Sequence, residues 1–211
     1  MVESTADHKI QAWTQTAREV ARLIDGLGKR VDKGIQTTVT ALRAFGFPTT
    51  ASCEGHLQHG MKAPWINIGD HHVRLVAKAD TVTGKPQASP QINVEMQEAR
   101  RTNLKAQERL LCLLERFYRR RNTRISRRLI VQPIGNGAFR LTNQGAHVHD
   151  LFAPVKANRE LRRCQTEMAA FTTFLEREYR SSSTDCGFRS TQTIPLRGSD
   201  QHGKEEQELR S

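Results

Sequence analysis

Apolar residues recur at intervals of three and four along much of this chain. Ile10, Trp13, Ala17, Val20, Ala21 and Ile24 share one side of a helical wheel, predicting an amphipathic helix over about Asp7 to Leu27, closed by Gly26 and Gly28. A second stripe, Ile35, Val39, Leu42 and Phe45, predicts a helix opened by Asp32 as N-cap. Gly46 ends it, and Pro48 forbids its continuation. From Thr49 to Cys53 the pattern changes to small residues of strand character. Trp65 to Ile68 reads as a partner strand, with Pro64 tolerated at its start. Val73, Leu75 and Ala77 alternate, so a third strand is expected there, followed by a loop over 83–90.

The second half repeats the theme. A long helix is expected from Val94 to Arg121, with Leu104, Leu111, Leu114 and Tyr118 as its buried stripe. Leu129-Ile130-Val131 and Phe139-Arg140-Leu141 flank Gly135-Asn136-Gly137, a hairpin signal, and Pro133 makes the first strand an edge or a bulged one. A last helix is expected from Ala157 to Tyr179, its seam formed by Leu161, Cys164, Met168, Phe171 and Leu175. From 182 to 211 the sequence turns to Ser, Thr, Gly and charge, the composition of a disordered polar tail. The expected fold is α+β: one domain over 1–181, with a small, mainly antiparallel sheet packed against several helices.

Composition narrows the function. A chain of 211 residues suits one core plus a tail. No apolar run approaches the roughly 18 residues that a membrane span needs. The N-terminus lacks a basic-then-apolar leader, and Cys53, Cys112, Cys164 and Cys186 are widely spaced. Reduced thiols in a cytoplasmic protein are therefore expected. The formal charge of +11 is uneven: between Glu98 and Arg128 stand eleven Lys/Arg and three Glu. Arg116, Arg119, Arg120, Arg121, Arg124, Arg127 and Arg128 are the candidate phosphate contacts, because each neutralised phosphate releases condensed counterions. The plainer alternative is a solvated helix face whose Arg stems cover apolar neighbours. Phe117, Tyr118 and Trp65 are the plausible base-stacking platforms, so backbone contact is expected over base reading.

The densest chemistry lies in Ser52-Cys53-Glu54-Gly55-His56-Leu57-Gln58-His59. Cys53, His56 and His59 have a spacing that suits zinc, the fourth position falling to His71, His72 or water. His147 and His149, one residue apart, would face the same way on a strand and join them. Alternatively Cys53 acts as a nucleophile with His56 as base, or Glu54 and His56 work as acid and base on a substrate held by the basic helix. A purely structural loop has the same residue types: Cys53 small and buried, Gly55 turning the chain, Glu54 and His56 bonded to loop backbone.

Three stretches carry a resemblance: Leu27–Asp32, Ala41–Thr49 and the Ala51-Ser52-Cys53-Glu54-Gly55-His56 motif. Through them the chain resembles a group of uncharacterised bacterial proteins, a likeness extending to Phe171–Leu175. It implies a bacterial cytoplasmic protein and brings no activity. Ser52, Cys53 and Gly55, with Ile66 and Ile68 after them, are also distantly similar to the wybutosine-synthesising tRNA methyltransferase family. That family has arginine where His56 stands. The likeness implies RNA as a partner; no S-adenosylmethionine motif accompanies it.

The leading expectation is a nucleic-acid-associated protein, RNA foremost, with a small Cys/Glu/His site. The rivals are a metal-dependent or thiol enzyme acting on a small anionic substrate, and a non-catalytic regulator or scaffold binding a protein partner.

Overall fold

The computed structural model describes residues 5–25, 28–69, 90–135 and 137–181. The expected third strand, the 83–89 part of the expected loop, His71, His72, Cys186 and the tail lie outside these residues. The helices are α1 (Thr5–Arg22), α2 (Gln36–Ala44), α3 (Pro90–Tyr118) and α4 (Pro154–Ser181). The strands are β1 (Thr49–Cys53), β2 (Trp65–Ile68), β3 (Leu129–Gly135) and β4 (Ala138–Asn143). Together they make an α+β fold whose sheet is antiparallel throughout, in the order β1-β2-β4-β3.

Period-two alternation sorts the sheet residues. Ile66 and Ile68 of β2 and Phe139 and Leu141 of β4 are fully buried. They meet Val39 and Leu42 of α2, Leu110, Leu113 and Phe117 of α3, and Met168, Phe171 and Leu175 of α4 in one hydrophobic core. Between those positions come Trp65, Asn67 and Arg140; Arg140 donates to Asn67 Oδ1 at 2.8 Å, and its guanidinium lies 4.3 Å from the Trp65 ring centre. The last helix keeps its expected seam, with Leu161, Cys164, Met168, Phe171 and Leu175 all buried. Between α2 and α4 the Thr38 and Thr172 hydroxyls meet at 2.8 Å, and Thr172 also donates to Met168 O.

Some expectations are corrected. Of the expected α3 stripe, Leu114 is buried and Tyr118 packs against the core, but Leu104 and Leu111 are 50% and 49% exposed, because the rest of the inward face runs through Ala99, Asn103, Ala106, Leu110, Leu113 and Phe117. Ile10 is exposed as well, since α1 packs on α2 along a narrow inward line through Trp13 and Val20. Ile24 is exposed because the helix ends at Arg22, before the expected Leu27, and Ile24 bridges to Arg30 instead. Asp32 precedes a 3-10 turn (Lys33–Ile35) and makes no side-chain cap bond. His147 and His149 lie in a 3-10 helix (Ala146–Leu151), not on a strand.

Candidate functional site

The end of β1 is fastened before it delivers any chemistry. Cys53 pairs with Trp65 across the sheet, and the chain then turns at Gly55 with φ +86°. A Cβ there would stand 2.7 Å from the Ala63 carbonyl carbon and 2.8 Å from Leu161 Cδ1, so only glycine fits this turn against α4. The His56 amide donates to Met61 O at 3.3 Å, and Gln165 Nε2 of α4 donates to Glu54 O at 3.0 Å. The Glu54 carboxylate accepts the Gly34 amide at 2.7 Å, tying the strand end to the turn that opens α2. Beside it a cleft of about 230 Å³ opens between α2 and α4, lined by Thr38, Gln165 and Thr172 among others.

What this scaffold brings together is Asp32, Cys53 and His56. One ligand atom from each lies within 4.8 Å of the other two, and all three residues are partly exposed. His56 Nε2 stands 3.4 Å from Asp32 Oδ2. The same carboxylate oxygen accepts the Glu54 amide at 3.1 Å, and the Cys53 sulfur accepts the Gly55 amide at 3.3 Å. Burial pushes the Cys53 thiol up from its ordinary pKa; the Gly55 amide opposes this, and the Asp32 and Glu54 carboxylates add to it. The free protein therefore holds a thiol there, not an activated thiolate, which weakens the nucleophile reading.

Of the expected site residues, Cys53 and His56 meet. Glu54 is near them, but its carboxylate is engaged by the Gly34 amide. The His59 ring stacks on His56, with centres 4.5 Å apart and planes at 20°, and it is not among the converging donors. Buried His149 bonds through Nδ1 to Lys62 O at 2.9 Å, whereas His147 is exposed. By sequence alone Asp32 reads only as a helix cap. An aspartate preceding a helix is so often a cap that its separation of about twenty positions from Cys53 carried no signal.

The basic segment divides in two. Arg116 pairs with Glu178, Arg121 with Glu167 at 3.0 Å, and Arg127 with Glu160 at 3.1 Å, all three acids lying on α4. Arg128 donates to Thr123 O at 3.0 Å and lies over the Tyr118 ring. Arg119, Arg120 and Arg124 are exposed and make no ion pair among the described residues. The expected stacking platforms are engaged internally: Phe117 is buried, Tyr118 accepts the Leu129 amide, and Trp65 is covered by Arg140. The two candidate regions share a support, since residues 160–167 of α4 touch the Cys53 loop through Leu161 and Gln165 and the arginines through Glu160 and Glu167.

Among the described residues no helix is long and apolar enough to cross a membrane. Comparison with protein families, with curated proteins and with solved structures finds no match to this chain.

Proposed function

We propose that this protein associates with nucleic acid, RNA foremost, through phosphate contacts from Arg119, Arg120 and Arg124. The observation that carries the reading is the division of the basic segment. Glutamates of α4 neutralise Arg116, Arg121 and Arg127, and the intervening arginines stay exposed at the end of α3 and in the loop after it. Exposed arginines whose charge no nearby carboxylate neutralises are available to a polyanion, and their binding free energy comes from counterion release. Because the aromatic rings nearby are already engaged, contact falls on the backbone, and recognition is tolerant of sequence.

The test is fluorescence anisotropy of a labelled single-stranded RNA against salt concentration, for the wild type and for Arg119→Ala/Arg120→Ala/Arg124→Ala. Losing three phosphate contacts lowers the slope of log K against log salt by about 2 for a single strand. A triple variant with the same affinity and slope as the wild type removes the proposal. Duplex DNA in the same assay reports which polymer is preferred.

A further inference from the structure

We infer that Asp32, Cys53 and His56 form a zinc-type site with three protein ligands and one position open to water or to a substrate atom. The inference is independent of the arginine edge and survives or fails without it. Three donor types meet here, a carboxylate oxygen, a thiol sulfur and an imidazole nitrogen, all within 4.8 Å of one another. Two light ligands on a tetrahedral zinc, each roughly 2.0–2.1 Å from the metal, stand roughly 3.3 Å apart. Asp32 Oδ2 and His56 Nε2 stand at 3.4 Å. Only the sulfur must close in, by roughly 1.2 Å at most, to reach the roughly 2.3 Å of a zinc–thiolate bond.

The surroundings support each ligand atom. The Glu54 amide bonds to the ligating oxygen of Asp32 and leaves a second lone pair on it. The Gly55 amide bonds to the Cys53 sulfur, where it would stabilise a thiolate. These are the outer contacts that orient metal ligands and tune their basicity. The Glu54 carboxylate, anchored on the Gly34 amide, fixes the strand end to the turn that carries Asp32. Ligands of this mixed softness suit zinc over magnesium or calcium, which take oxygen alone. On binding, the Cys53 thiol proton leaves to solvent and the sulfur becomes a metal thiolate, with no change of oxidation state. Three protein ligands and one free position are the arrangement of a catalytic zinc, whereas structural sites are closed by a fourth side chain.

Cobalt(II) is the probe, because it takes zinc's geometry and shows its ligands in absorption. Titrating the full-length, metal-free chain with cobalt is expected to give one equivalent bound, strong tetrahedral d–d bands and a thiolate-to-cobalt charge-transfer band, all displaced by zinc. In Cys53→Ala the charge-transfer band is lost, while in Cys112→Ala, which removes the exposed thiol among the described residues, it persists. Asp32→Asn and His56→Ala are expected to weaken cobalt binding at least as much as the roughly ten- to hundred-fold cost of losing an outer-shell partner. His59→Ala leaves the spectrum unchanged. Absence of a charge-transfer band in the wild type overturns the inference without recourse to any variant. So does a band that survives Cys53→Ala, or a spectrum that His59→Ala abolishes, since the latter would make the site closed.

Discussion

Replacing Gly55 with alanine tests whether the turn after Cys53 is as constrained as its geometry implies. A non-glycine residue in the left-handed region costs about 1–2 kcal/mol. The new methyl group would also stand 2.7 Å from backbone of Ala63 and 2.8 Å from Leu161 Cδ1. Overpacking of that kind adds about 1–3 kcal/mol. Alanine narrows the unfolded ensemble and returns about 0.4–1 kcal/mol. The net loss is about 1–5 kcal/mol, centred near 3, or about 10 °C in Tm for a domain of this size. Gly60 in the same loop is the matched control: φ is +70°, and nothing lies within 4 Å of an added Cβ. Gly60→Ala therefore carries the conformational cost alone, about 1 kcal/mol once the unfolded-state gain is subtracted. Urea unfolding of both variants, with unchanged m-values, measures the difference. Equal losses in the two would refute the claim that Gly55 is required by contact with α4 as well as by its dihedral.

The remaining expectations concern α4 and the thiols. Burial would raise the Glu160 carboxyl, but hydrogen bonds from Arg127 and Arg163 outweigh it and hold the pKa below the ordinary value. Its contribution to stability is therefore complete above the unfolded glutamate pKa near 4.3 and is lost as pH falls through the lower, folded value. Glu160→Gln should cost about 2 kcal/mol at neutral pH and flatten the acid limb of a stability-against-pH curve; an unchanged limb refutes the assignment. Thr38→Val leaves a buried Thr172 oxygen short of one partner and should cost about 1 kcal/mol, whereas the Thr38→Val/Thr172→Val double variant recovers part of that, as a double-mutant cycle in urea would show. Among the cysteines of the described residues, alkylation by iodoacetamide followed by peptide mapping should label exposed Cys112 first and Cys53 slowly at neutral pH. Buried Cys164, its thiol pushed up to about 12 by burial and the nearby Glu160, should react only on unfolding; early labelling of Cys164 would contradict its place in the core.

The helices and strands were legible where one period dominates. Val39, Leu42 and Phe45 fall on a single stripe, and so do Leu161, Cys164, Met168, Phe171 and Leu175; all are buried. α3 misled because its inward face includes Asn103 and alanines, while leucines 104 and 111 stand half exposed. Leu114 is buried and Tyr118 packs on the core as the leucine stripe implies, so reading hydrophobicity residue by residue mislays only part of a face whose core contacts are partly small or polar. The pairing of β2 with β4 was not legible either, since no turn chemistry connects strands separated by a long helix. The candidate site was half legible: Cys53 and His56 lie three positions apart, but Asp32 reaches them only through the fold. The 3-10 helix at Ala146–Leu151 defeated the alternation argument for His147 and His149, which assumed an extended chain.

The glutamates along α4 meet their arginines in reverse order: Glu160 with Arg127, Glu167 with Arg121, Glu178 with Arg116. Such an arrangement works as a key for alignment. Arg163 already shares the Glu160 carboxylate with Arg127, so sliding α4 by about one turn would carry that carboxylate away from Arg127 and leave two cations without the anion between them. Charge along this seam thus favours one alignment of α4, and it does so with residues that an inventory of surface cations would count only as attraction for something outside.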